Sequence, residues 1–183
     1  MAEPNAGSLD GVARHIILIG LPGAGKSTVG PILAARLGRP FHDMDEEITR
    51  REGRPIAEIF ATSGERAFRE LEERLTNELL GGPPAVISAG GGWVVSETNV
   101  MAARGLAVLI HLRVTPATAI KRMGVGTGDR PLLAGVDPAD AIARLWRARG
   151  ERYGRAEVQV DTEVLDPERV AGDVLRLINW SVA

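Results

Sequence analysis

Apolar residues fall in short continuous runs along this chain, and stretches with helical spacing separate them. The runs His15–Ile19, Ala85–Ala89 and Leu106–Leu112 are too short for helices and predict buried strands; Pro40–Asp43 and Glu157–Val160 complete a set of five. The intervening segments predict helices over Lys26–Leu37, closed by Gly38, and over Asp45 to about Arg51, with Asp45 as cap and Gly53-Arg54-Pro55 as breaker. Further helices are predicted over Pro55–Thr62 and over Glu65–Leu80, where Phe68, Leu71, Leu75 and Leu79 keep one face. Glu97–Arg104, capped by Ser96, then Pro116–Met123, Pro138–Gly154 and Pro167–Trp180 follow.

Strands that alternate with helices in this way predict a parallel sheet covered on both faces, a three-layer α/β/α arrangement. Ligands of such sheets sit beyond the carboxyl ends of the strands. That rule selects Gly20–Ser27, Asp43–Asp45, Gly90–Gly92 and the segment after Asp161 as candidate site segments. Polar Met1–Val12 reads as a disordered leader, so residues 1–13 are set apart from a single domain over 14–183.

Gly20-Leu21-Pro22-Gly23-Ala24-Gly25-Lys26-Ser27 joins the first strand to the first helix and fits the phosphate-loop pattern G-x-x-x-x-G-K-[ST]. Its glycines let the backbone curl its N–H groups toward phosphate oxygens, and the helix aims its positive end at the same anion. Lys26 would reach the β- and γ-phosphates, and the Ser27 hydroxyl would ligate Mg²⁺. Composition sharpens this reading. Lys26 and Lys121 are the only lysines among 22 basic residues, so a chain that otherwise writes arginine keeps a compact ammonium at the phosphates.

Composition otherwise mainly excludes. At 183 residues, with 44% hydrophobic and 25% charged residues, the chain reads as an ordinary globular protein. A net charge of −2 gives no reason to expect a nucleic-acid or anionic-membrane partner. The absence of cysteine excludes disulfides, thiolate catalysis and Cys-ligated zinc. No signal-peptide pattern opens the chain and no apolar stretch approaches the ~20 residues that span a bilayer, so a cytoplasmic protein is expected.

Beside the phosphate loop, Asp43 and Asp45 project the same way from an extended segment. One carboxylate can hold Mg²⁺ through water and the other can accept a substrate hydroxyl's proton, although Asp45 can equally be a helix cap. Gly90-Gly91-Gly92 is longer than a turn needs and implies a close approach to the backbone; Ser88 just before it can reach the metal's water shell. Arg149 shares an apolar stripe with Ile142, Leu145, Trp146 and Tyr153, so its inward guanidinium needs an anion, either structural or on a substrate. Arg69, beside Phe68, can act likewise or pair with Glu65, Glu72 or Glu73. Glycine-rich Gly124–Leu133 reads as a lid from which Arg130 can swing over a transferring phosphoryl group. His15, His42 and His111 lack metal-ligand spacing and read as structural.

Taken together, these residues resemble the shikimate kinase family. The resemblance runs from about residue 14 to 180 through the phosphate loop, Phe41-His42-Asp43-Met44-Asp45, Ile59-Phe60, Gly64-Glu65, Phe68-Arg69, Glu72, the triple glycine, Arg130-Pro131-Leu132-Leu133 and Arg149 with Tyr153. It implies a nucleoside-monophosphate-kinase-like P-loop fold with the first of five parallel strands central and a lid near 124–134. It implies ATP- and Mg²⁺-dependent phosphorylation of the shikimate 3-hydroxyl on the route to chorismate and aromatic amino acids, by a protein expected to be a monomer.

By resemblance, Lys26, Asp45 and Arg130 are catalytic, and Asp45, Arg69, Gly90, Gly91, Gly92 and Arg149 bind the substrate. Gly23, Ala24, Gly25, Lys26, Ser27, Thr28, Arg122 and Arg130 bind the nucleotide, and Ser27 and Asp43 serve the metal. Two departures stand out. The segment Thr162–Pro167 lacks the arginine that family members often place against adenine, and Trp93 is bulky enough to crowd the site. Two other functions remain conceivable: a kinase for another hydroxylated acid or sugar such as gluconate, and a non-catalytic nucleotide switch. The switch lacks Asn-Lys-x-Asp and Asp-x-x-Gly.

Overall fold

The computed structural model describes residues 14–123, 137–164 and 166–181. Five parallel strands form one sheet: β1 (His15–Ile19), β2 (Phe41–Asp43), β3 (Val86–Ser88), β4 (Ala107–Arg113) and β5 (Val158–Asp161). Their order is β2-β3-β1-β4-β5, so β1 is central, as the resemblance implies. β1 pairs Ile16 with Val86 on one side and with Val108 on the other. Because both of its faces are covered, all five of its residues are buried, which explains an uninterrupted apolar run where a one-sided strand would alternate.

Seven helices are described: α1 (Lys26–Leu37), α2 (Met44–Glu52), α3 (Ile56–Leu80), α4 (Glu97–Ala103), α5 (Pro116–Met123), α6 (Pro138–Tyr153) and α7 (Pro167–Ser181). α1 packs on α7, α3 on α2 and α4, and α5 on α6. The two helices expected before and after residue 64 run on as α3, but Gly64 breaks the helical backbone between them at φ 80°, ψ 170°. One assignment changes. Asp43, not Asp45, caps α2: its side chain accepts the Asp45 and Glu46 N–H groups, which leaves the Asp45 carboxylate off the cap.

The chain leaves β1 toward β2 on one side of the sheet and reaches β4 on the other, so the order reverses around β1 and β3. A crevice opens where connections diverge beyond the strand ends. The phosphate loop follows β1 and the triple glycine follows β3, and these two turns face that crevice.

Candidate active site

A cavity of about 1040 Å³ occupies the crevice, and both candidate turns line it. The phosphate loop is built as its glycines demand. Gly20, Gly23 and Gly25 take φ of 149°, 81° and 96°, and a Cβ at Gly23 would lie 2.5 Å from the Ala119 carbonyl oxygen. Lys26 Nζ donates to the Gly20 and Leu21 carbonyls at 3.0 and 3.1 Å, which brings the ammonium across its own loop. Ser27 Oγ donates to Asp43 Oδ2 at 2.6 Å. These two hard oxygens at the mouth of the loop form a donor set that suits Mg²⁺, an ion that takes one or two protein ligands besides substrate phosphates. Thr28 and Ala24 complete the wall.

The triple glycine makes room for four polar side chains of the cavity. A Cβ at Gly90 would come within 2.8 Å of both Asp45 Oδ1 and Glu72 Oε1. At Gly91 it would meet Arg149 Nη1 at 3.2 Å, and at Gly92 both terminal nitrogens of Arg69 at 2.5 Å. Three residues without side chains therefore let Asp45 and Glu72, Arg149, and Arg69 converge in that order, from α2, α3 and α6.

The two arginines differ in how they are satisfied. Arg69 donates to Glu72, and to Glu65 at 2.9 Å. Burial works to lower its pKa, but the two carboxylates outweigh burial and raise it. Glu72 is wholly buried, and burial pushes its carboxyl up to about 7 against the pull of Arg69; its Oε1 has no hydrogen-bond partner among the described residues. Arg149 is buried as well, yet no carboxylate of the described residues lies within ion-pair distance of it. Burial lowers its pKa, and the nearby Tyr153 hydroxyl acts in the opposite sense.

A further part of the cavity is lined by Arg122, Thr162, Pro167 and Val170, at the ends of α5 and β5 and the start of α7. Arg122 donates to the Thr162 hydroxyl at 3.2 Å and to the carbonyls of Thr162 and Glu163. Thr162 Oγ1 in turn reaches the Ala24 carbonyl at 3.3 Å, joining this wall to the phosphate loop.

Residues 22–179 match the family model described as shikimate kinase. The chain belongs to the shikimate kinase family. A shikimate kinase of Mycobacterium avium (strain 104) is 44% identical over 168 residues, covering 91% of this chain and 92% of that protein. The solved shikimate kinase from Acinetobacter baumannii, in complex with shikimate, superposes with a TM-score of 0.88 at 32% identity, covering 93% of this chain and 95% of that one. A gluconokinase from Sinorhizobium meliloti shares the fold at a TM-score of 0.60 and 22% identity, over 93% of this chain and 95% of that one. Membership of the shikimate kinase family sets aside both the gluconate reading and the nucleotide switch.

Asp43, Asp45, Arg69, Arg122, Arg149, the phosphate loop and the triple glycine, all named from sequence, line one cavity. Arg130 and the expected lid near 124–134 lie outside the described residues. Trp93 does not crowd the site. It turns fully into the core, where its Nε1 donates to Thr76 Oγ1 at 2.8 Å, and Thr76 donates to the Glu72 carbonyl at 2.7 Å. The tryptophan thus anchors the turn of α3 that carries Glu72. Glu72 itself was missed as a site group. Its signal was its spacing, four residues after Phe68 and three before Leu75, which put it on the apolar stripe of α3. His15 is structural, its Nδ1 accepting the Ala85 N–H at 3.2 Å.

Proposed function

We propose that this protein transfers the γ-phosphoryl group of ATP to the 3-hydroxyl of shikimate, giving ADP and shikimate 3-phosphate. The observation that carries the reading is Arg149, a buried guanidinium that lines the cavity and has no carboxylate within ion-pair distance among the described residues. An uncompensated buried cation is costly, and a bound organic acid removes that cost. Arg69, one hand already on Glu72, would take the acid's second oxygen.

With the carboxylate held there, the ring lies against the triple glycine and its hydroxyls meet Asp45, whose carboxylate is not the cap of α2. Asp45 orients the attacking oxygen and accepts its proton as the O–P bond forms and the bond to the ADP oxygen breaks. Lys26 stabilises the charge that develops on the β- and γ-phosphates, assisted by the N–H groups of the loop and by Arg130. Ser27 and Asp43 would hold Mg²⁺, which supplies charge neutralisation of the phosphate oxygens when bound. The base and ribose fit the wall formed by Arg122, Thr162 and Pro167. We further infer a single kinase domain over residues 14–183 that acts in the cytoplasm as a monomer. None of the described helices is long and apolar enough to cross a membrane.

A coupled assay of ADP release under Mg-ATP tests the reading. Turnover with shikimate is expected, and its absence rejects the proposal. Arg149→Ala should raise KM for shikimate roughly 10- to 150-fold, the range for losing a charged hydrogen bond, with KM for ATP little changed. A parallel rise of both would make Arg149 structural.

A further inference from the structure

Arg149 raises a question of aim. A buried arginine with no carboxylate partner among the described residues loses much side-chain freedom, and something must point it into the cavity. The candidate is one turn further along α6. Tyr153 is 1% exposed, and its ring stacks on His111 with centroids 4.6 Å apart and planes 17° apart. Trp146 stacks on it more loosely, at 6.4 Å. His111 ends the register of β4 with β1 and sits beside Gly20 of the phosphate loop, so the phenol ring is stacked on a residue of the central strand pair.

Two groups that line the cavity lie beside the hydroxyl on that ring. It donates to the Gly91 carbonyl at 3.4 Å, and it faces the Arg149 guanidinium, whose Nη1 lies 3.2 Å from where a Cβ on Gly91 would stand. Packing alone would be served by phenylalanine, because the stack on His111 uses only the ring. The hydroxyl therefore adds something that the core does not require.

We propose that Tyr153 is a positioning residue for the acid-binding arginine: anchored through its ring on His111 and through its hydroxyl on Gly91, it aims the Arg149 guanidinium at the substrate carboxylate. Tyr153 touches no reacting atom; it acts through Arg149, and the inference rests on the reading of Arg149 given above. Preorganising a long cationic side chain strengthens binding by removing an ordering cost that the ligand would otherwise meet.

The full-length enzyme and its Tyr153→Phe variant decide the matter in steady-state kinetics with ATP, shikimate and the shikimate carboxamide. Expected for the variant are a KM for shikimate about tenfold higher and kcat and KM for ATP within about twofold of wild type. Preference for the acid over the carboxamide should shrink by the same factor. In an Arg149→Gln background the same change should add less than about twofold, because the residue it acts through is gone. An unmoved KM for shikimate, a rise of both KM values together, or full additivity with Arg149→Gln would overturn the proposal. A second measurement needs no variant. Tyr153 is the only tyrosine in the chain, so carbon-13 labelling at tyrosine Cζ yields one resonance. Its shift should titrate with shikimate to saturation and stay in place with ATP alone; a resonance that ignores the acid overturns the proposal. Failure of wild type to turn over shikimate would instead remove the functional reading, so the two failures are distinguishable.

Discussion

Replacing Glu72 by glutamine removes one titrating proton from the middle of the fold, and two buried groups set the consequence. Glu72 has its carboxyl raised from an ordinary value near 4.5 to about 7, chiefly by burial, with Arg69 pulling down and Asp45 pushing up. His111 is displaced the other way, from 6.5 to about 4, by burial first and then by Arg113 and Lys26. A carboxyl raised in the folded state contributes stability that is complete below the unfolded value and is lost as pH rises through the folded one. A histidine lowered in the folded state contributes stability present above its unfolded value and lost as pH falls. Between about pH 4.5 and 6.5 the folded state holds the Glu72 proton and the unfolded state holds the His111 proton, so these two contributions cancel. Glu72→Gln keeps the shape and the acceptor for Arg69 but removes the first of them. The variant's stability relative to wild type should therefore rise with pH at about 1.4 kcal/mol per unit, the free energy of one proton per pH unit. Across the two-unit window this is about 2.5 kcal/mol, or roughly 5 to 10 °C in Tm for a chain of this size. Urea unfolding of both proteins at half-unit pH intervals reads it directly. Parallel stability profiles would show that Glu72 is ionised in the folded state throughout the window, and the reasoning would fail.

Two further outcomes follow from the geometry. Lys26→Ala should lower kcat by about a hundred- to a thousand-fold, the usual loss of one preorganised charge donor, while the unfolding midpoint moves little because the ammonium's bonds to the Gly20 and Leu21 carbonyls lie within its own loop; a large fall in midpoint would count against that division. Gly92→Ala should displace the Arg69 guanidinium, since a Cβ there would lie 2.5 Å from its terminal nitrogens, and raise KM for shikimate about tenfold without altering KM for ATP; unchanged shikimate kinetics would mean that Arg69 does not grip the acid.

How far the site was legible in the sequence depended on the range of the interactions involved. The phosphate loop is a local object: eight consecutive residues whose conformation their glycines dictate, so its pattern survives into the structure unchanged. Arg149 was legible because a charge on an apolar stripe is an anomaly, and it is indeed buried. The same anomaly at Glu72 was masked by Arg69 three residues away, since an i,i+3 pair usually means a solvated helix face. Only the packing of α3 beneath the triple glycine takes Glu72 out of water. The cap falls on Asp43 and not on Asp45 because α2 begins two residues earlier than the sequence pattern suggests, and that shift decides which carboxylate meets the first N–H groups. Trp93 misled by size alone: the 3-10 turn Trp93–Val95 that follows the glycines rotates the ring away from the cavity and into the core.

That rotation ties the cavity wall to the core through a single stretch of chain. Gly90-Gly91-Gly92 leaves space for Asp45, Glu72, Arg149 and Arg69, and the next residue, Trp93, plugs the core through Thr76 directly beneath Glu72. The glycines alone would leave a flexible ribbon, since backbone without side chains has the most freedom to lose. The buried tryptophan offsets that loss by fixing the ribbon's end to the turn of α3 that carries the carboxylate. Bulk at position 93 thus pins one end of the three adjacent glycines that line the cavity.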